Sequence, residues 1–180
     1  MAVSQYIREN VNSVFVPIAT ATLAEIGDFC ALVAGECVPA ASFSWAGSKA
    51  ATQYNWVAQF LGHGFQYKPA NTATVYGNSS SNIIGVSSSG VYEADVQSAT
   101  TFAVGEFVGM AKNPSSNALL SQVVEKVASL PLAIGVVTTA GTSLERVQFR
   151  ILPTVVPFEP APTTTTSTTA APTTTSTTTT

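Results

Sequence analysis

Apolar and polar residues alternate in several short runs along the middle of the chain, and this pattern predicts β-strands. In residues 144–151 the apolar side chains of Val147, Phe149 and Ile151 share one face, as strand geometry requires. A similar alternation covers residues 91–96. Glycine-, serine- and asparagine-rich turns separate such runs, at residues 77–82, 87–90, 113–117 and 140–143. Many short strands with frequent turns predict a mainly β fold, with a small β-barrel or β-sandwich as its core.

Two segments fit more than one element. Residues 48–60 carry apolar side chains at helical spacing, but their Trp and Tyr content also fits a strand. Residues 118–130 have the same ambiguity, and the valines of this segment favour a strand.

A short sequence pattern occurs twice and predicts an internal duplication. Residues 21–32 and 100–110 both contain a glycine, then an acid, then a phenylalanine. We expect the glycine, Gly27 or Gly105, to make a tight turn, and the acid that follows to stay in water. The phenylalanine would then begin a strand that runs into the core. Gly62 and Gly135 come later in the two copies, where they would let a strand bend or lie close to another backbone.

The two ends of the chain differ in composition from the middle. We expect an N-terminal arm over residues 1–17, a β-rich core domain over 18–156 and an extended Pro- and Thr-rich tail over 157–180. The last eighteen residues include thirteen Thr and no charge, so they cannot bury enough apolar surface to form a core. The tail fits an O-glycosylated stalk, a disordered solvating segment or an extended strand laid across a neighbouring subunit. The third is favoured.

Charge is sparse along the whole chain. Charged residues make up 9% of the sequence and the net charge is −3, against roughly 25% charged residues in a typical domain. The seven Lys and Arg are scattered, which argues against a nucleic-acid surface. No apolar run is long enough to span a membrane and the N terminus does not resemble a signal peptide, so synthesis in a cytoplasm is expected. A charge-poor surface suits a chain that buries its exterior against copies of itself, although a small extracellular β-domain can share this composition.

The sequence contains no recognisable constellation for catalysis or for a cofactor. His63, the only histidine, cannot make a metal site alone and is expected to be a turn residue or a packed imidazole. The acids do not follow a calcium-loop spacing, and Glu93 and Asp95 are expected on a solvated strand edge. Cys30 and Cys37 are expected to be reduced and buried, although a bridge between antiparallel strands also fits their spacing. We therefore expect a non-enzymatic protein that needs neither metal nor cofactor.

Aromatic residues are concentrated between positions 43 and 67. Trp56, Phe60 and Phe65 are expected in the core, because these rings are among the largest apolar units of the chain. Trp45 and Tyr67 are candidates for interface anchors. The other interface candidates lie towards the ends of the chain: Tyr6, Phe15, Phe158, Thr163 and Thr173.

The second half of the chain resembles a known family. The resemblance rests on short glycine-containing motifs: Phe102-Ala-Val-Gly-Glu-Phe-Val-Gly, Leu132-Ala-Ile-Gly-Val-Val and the final strand Val147-Gln-Phe-Arg-Ile. Over residues 60–151, about half of the chain, these motifs resemble the small β-rich head proteins of tailed phages, which act as capsid decoration or cement proteins. The resemblance implies a β-barrel-like core, symmetric clustering and a place on the capsid exterior. It implies no catalytic residues.

The expected function is that of a non-enzymatic viral structural protein that decorates and stabilises a phage capsid by bridging neighbouring subunits. Its expected partners are the major capsid protein and copies of itself, with a trimer favoured, and neither nucleic acid nor a membrane. Its expected location is the capsid exterior of the virion, after synthesis in the host cytoplasm. One alternative is a subunit of an extracellular helical fibre or pilus built by strand exchange. Another is a secreted glycan-binding module that stacks sugars on Trp45 and Tyr67.

Overall fold

The fold is mainly β, as the alternating pattern predicted. A computed structural model describes residues 5–8, by their backbone alone, and residues 12–152. In chain order the strands are β1 (Gln5–Arg8), β2 (Ser13–Pro17), β3 (Phe29–Val33), β4 (Glu36–Pro39), β5 (Phe60–Gly64), β6 (Ile83–Ser87), β7 (Val91–Phe102), β8 (Phe107–Lys112), β9 (Leu119–Val127), β10 (Gly135–Val137) and β11 (Gly141–Ile151). Helix α1 (Lys49–Val57) lies between β4 and β5, and short 3₁₀ turns occupy Ala40–Ser42 and Leu130–Leu132.

Strands β7 to β11 form a closed five-stranded barrel, which we call the second unit. The strands follow the order β7-β11-β10-β8-β9, and the barrel closes where β7 and β9 pair in parallel at Asp95 opposite Val123. Strand β1 pairs with the first residues of β7, outside the barrel. The predicted β-barrel core is therefore confirmed.

Strands β2 to β6 form a second sheet with the same arrangement, which together with α1 we call the first unit. Its order, β2-β6-β5-β3-β4, repeats the order of the barrel strand for strand. Its edge strands β2 and β4 approach each other, with Cα atoms within 8 Å, but they do not exchange ladder hydrogen bonds in the described part of the chain. The predicted internal duplication is thus a repeat of whole five-stranded units, one closed and one nearly so.

The repeated sequence motif forms the same turn in both units. The backbone N–H of Asp28 donates to the carbonyl of Glu25, and that of Glu106 donates to the carbonyl of Ala103. In each copy the acid's carboxylate then accepts from the N–H three residues earlier, at 2.9 Å. Positive φ angles at Gly27 and Gly105 make these turns tight, and β3 and β8 begin at the following phenylalanines.

One expectation about this turn is wrong. The acid of the first copy, Asp28, is buried and not in water. Its Oδ1 accepts a hydrogen bond from the side-chain amide of Gln122 at 3.0 Å. Gln122 belongs to β9, so the packing of the second unit against this turn removes Asp28 from solvent.

The glycines that follow in each copy lie against other backbone, as expected. A Cβ atom at Gly62 would come within 2.1 Å of the carbonyl oxygen of Ser87. A Cβ atom at Gly135 would come within 2.3 Å of the Phe149 ring and 2.8 Å of the carbonyl oxygen of Arg150. No side chain fits at either position unless neighbouring atoms move.

Two apolar cores stabilise the molecule. The larger one joins the units, because Phe29 and Trp56 of the first pack in it with Tyr92 and Phe149 of the second. The smaller one lies inside the first unit and includes Cys30, Cys37, Ile84 and Val86. Both cysteines are buried with free thiols, which confirms them as small apolar side chains.

The two ambiguous segments take different structures. Residues 49–57 form α1, which begins where the Ser48 hydroxyl accepts a hydrogen bond from the N–H of Ala51. The second segment forms β9, the strand that its valines favoured.

Residues 5–8 and 13–17, assigned from sequence to an arm, pair with β7 and β6 of the same chain. The proposed tail, residues 157–180, lies outside the described residues.

Glu93 and Asp95 do not lie on a sheet edge, because β7 has β11 along one flank and β1 and then β9 along the other. Arg146 of β11 lies between the two acids, with Nη1 2.6 Å from Glu93 Oε1 and Nε 3.0 Å from Asp95 Oδ1. These charges form a cross-strand cluster, the kind of pair that stabilises neighbouring strands.

Candidate interaction surfaces

Four exposed aromatic side chains of the first unit form two contacting pairs, which together we call the aromatic strip: Phe15, Phe65, Tyr67 and Tyr76. Their exposed fractions are 60%, 36%, 37% and 60%. Phe15 and Phe65 meet edge to face with ring centroids 6.1 Å apart, and Tyr67 and Tyr76 lie 5.6 Å apart. Phe65 and Tyr67 flank buried Gln66, which lies at a bend after β5, and both are exposed.

The backbone beneath the strip explains its shape. Gly85 in β6 faces the Phe65 ring, and a Cβ atom there would lie 2.2 Å from the ring carbon Cζ. The side chain of Gln66 accepts a hydrogen bond from the N–H of Gly85 at 2.6 Å. The missing side chain of Gly85 thus leaves room for the far end of the Phe65 ring, and the hydrogen bond from Gly85 holds Gln66 beside it.

Lys68, the residue after Tyr67, connects this part of the first unit to residues 20–22 through its buried ammonium group. Its side chain is fully buried, and its Nζ donates to the carbonyl oxygens of Thr20, Thr22 and Pro69 at 2.9, 2.8 and 3.3 Å. Burial lowers the pKa of the Lys68 ammonium from its ordinary value. Because an ammonium has three donors, these carbonyls satisfy it fully and tie residues 20–22 to the segment that carries Tyr67.

The strip brings together two predicted interface candidates, Phe15 and Tyr67. Phe65 was assigned to the core, and that assignment is wrong, because Phe65 is 36% exposed at the surface beside Phe15. Tyr76 was missed, since it sits in a turn-rich segment with no periodicity to mark a face. The side chain of Tyr6, together with Phe158, Thr163 and Thr173, lies outside the described residues.

Trp45, the remaining candidate, lies away from the strip. It borders a cleft of about 370 Å³ between the end of the β3–β4 hairpin, the loop after β4 and helix α1. The Nζ of Lys112 sits 5.6 Å from the centre of the indole, a cation–π distance. Trp56 and Phe60, by contrast, are core residues as expected.

His63 is a packed imidazole, as expected. It is buried, stacks on Tyr92 with ring centroids 4.4 Å apart, and meets Phe29 edge to face at 5.5 Å.

Among residues 12–152, no three His, Cys, Asp or Glu side chains gather as a metal site requires. No helix in the described part of the chain is long and apolar enough to cross a membrane.

Stability should depend on the ionisation of Asp28. Burial raises the pKa of its carboxyl above the ordinary value of 3.8, more than its hydrogen bonds lower it. The folded state then holds the proton more tightly than the unfolded state, so this contribution to stability is present at low pH and is lost as pH rises through the folded pKa. Urea unfolding should show that wild type loses stability relative to Asp28→Asn as the pH is raised from acid towards neutral. The exposed-acid variant Glu36→Gln is the control, and we expect its difference in unfolding free energy from wild type not to follow this change with pH. If the difference changes with pH equally for Asp28→Asn and Glu36→Gln, Asp28 is not its source.

Comparison of the chain with known proteins identified no relative. No protein-family model, curated protein or solved structure matches the chain.

Proposed function

We propose that this protein is a non-enzymatic structural component of a phage head that binds the outside of the capsid and bridges neighbouring subunits. The aromatic strip is its attachment surface, and the major capsid protein is its partner. Copies of the chain, as trimers, would occupy symmetric positions on the virion exterior.

The observation that carries this proposal is the exposure of four aromatic rings in one strip. Soluble monomers rarely leave such groups in water together, and interface centres are enriched in Tyr and Phe. Two of the rings, Phe15 and Tyr76, are 60% exposed, so they contribute little to the fold and are free to pack against a partner.

The sparse charge of the chain supports the same proposal. With 9% charged residues, burying this surface against another protein desolvates few ions, which keeps the cost of association low. The acids and bases of the barrel are largely committed to each other, as in the cluster around Arg146.

The spacing of β2 and β4 counts against the alternative, a fibre built by strand exchange. A strand inserted between two others separates them by about 9.5 Å, twice the ordinary strand spacing. The Cα atoms of β2 and β4 already come within 8 Å of each other, so a donor strand would have to force this edge of the first unit apart.

We expect the double variant Phe15→Ser, Tyr76→Ser to bind undecorated shells of the cognate phage at least about tenfold more weakly than wild type. The reason is that two rings that would be buried against the shell are lost from the contact. Deleting residues 159–180 should also weaken attachment while leaving the fold intact. Negative-stain electron microscopy and light scattering of protein mixed with shells measure both effects.

Val104→Ser is the matched control, since Val104 is 65% exposed but lies in a turn of the second unit. It should coat shells as wild type does. Undiminished coating by the double variant would remove the strip from the proposal, and filaments formed without shells would replace it with the fibre.

A further inference from the structure

The cleft beside Trp45 is a separate feature of the first unit and shares no residue with the aromatic strip. Val33, Val38 and Phe43 form its apolar wall, and Trp45 closes one side. Its volume of about 370 Å³ falls within the range of roughly 300–1,000 Å³ of small-molecule sites.

Contacts within the fold hold this cleft in place. Phe43 packs edge to face on buried Trp56, with ring centroids 5.2 Å apart. The N–H of Ala46 donates to the Thr52 hydroxyl at 2.9 Å, which ties the loop carrying Trp45 to helix α1. Lys112, which does not line the cleft, lies over the Trp45 indole. A preformed site loses less entropy on binding.

The polar groups of the cleft are all uncharged. Two hydroxyls and two amides line it, from Ser42, Ser44, Asn55 and Gln59, and these groups both donate and accept hydrogen bonds. The Gln59 amide already donates one hydrogen bond to the backbone carbonyl of Asn55 at 3.1 Å. Among the described residues no Asp, Glu, Lys or Arg lines the cleft, so a charged ligand would lose water without meeting an opposite charge inside the cleft.

We propose that the Trp45 cleft binds a neutral oligosaccharide. A sugar ring has an apolar C–H face that packs on an indole, and hydroxyl groups around its edge that suit Ser44, Asn55 and Gln59. The proposal goes beyond attachment to a shell, because it gives the first unit a ligand that the strip does not contact.

The test uses the full chain without shells. An array of neutral and sialylated oligosaccharides is screened first, and free maltose, cellobiose and chitobiose are titrated while the indole N–H signal of Trp45 is followed by NMR. Trp45→Phe assigns that signal and tests the ring. We expect neutral sugars to bind, and Trp45→Ala or Asn55→Ala to weaken binding about tenfold or more, since each removes one side of the site.

Tyr67→Ala is the matched control, because it removes an exposed aromatic ring outside the cleft. It should leave sugar binding unchanged. The proposal fails if no neutral sugar on the array or in the titrations binds, if sialylated sugars alone bind, or if Tyr67→Ala weakens binding as much as Trp45→Ala. None of these results depends on whether the protein coats shells.

Discussion

Replacing Gly62 with alanine should lower the free energy of unfolding by about 3–5 kcal/mol, the largest effect expected of a single added methyl group in this chain. The new Cβ would lie 2.1 Å from the carbonyl oxygen of Ser87 and 2.7 Å from its carbon. Both atoms belong to the backbone of β6, which cannot rotate away as a side chain would. The φ angle of Gly62, 151°, adds strain for any other residue. Urea unfolding followed by circular dichroism measures the loss.

Gly35→Ala separates the two causes. Gly35 also has a positive φ, 84°, but no atom lies within 4 Å of its added Cβ. It should therefore cost only the backbone term, about 1 kcal/mol. If both variants lose the same amount, the close approach of β5 to β6 at Gly62 does not limit the fold.

Local patterns predicted the elements whose environment is simple. Val147, Phe149 and Ile151 are buried along β11 as their alternation indicated. The repeated glycine, acid and phenylalanine predicted two like turns, because the turn is made by neighbouring residues. The sequence did not indicate that the repeat extends to the order of all five strands, since pairing depends on residues far apart in the chain.

The failed expectations share a physical cause: the deciding partner is distant in sequence. Asp28 is buried because Gln122, 94 positions away, covers it. Phe65 packs over Gly85, 20 positions on, and remains 36% exposed. Neither fact can be read from periodicity, which reports the face of a strand and not what lies over that face.

The same limit applies to the candidate surfaces. Phe15 was chosen from a mixed N-terminal segment expected to form an arm, and Trp45 and Tyr67 from the aromatic-rich residues 43–67. The fold pairs Phe15 with Phe65 and Tyr67 with Tyr76, and sets Trp45 apart in a cleft between the β3–β4 hairpin and α1. Residue type thus singled out candidate side chains, and the fold shows which of them lie next to one another.

Replacing Phe149 with alanine should lower the free energy of unfolding by about 3–5 kcal/mol, the usual cost of deleting a buried ring. Phe149 is fully buried on β11, lies opposite Tyr92 and has its ring centroid 5.8 Å from that of Phe29 in the first unit. Gly135 leaves the space that its ring fills. The deletion therefore opens a cavity in the core that joins the units.

Because this core is shared, both units should lose stability together and unfold in one transition. Tryptophan fluorescence reports the first unit, which holds both Trp45 and Trp56, and circular dichroism reports both sheets. The two probes should give the same midpoint in wild type and in Phe149→Ala. Phe149→Leu, which keeps most of the side-chain volume, should cost less than about 1.5 kcal/mol. A transition by circular dichroism at lower urea than the fluorescence change would mean that the barrel unfolds independently, and that the shared core does not couple the repeated units.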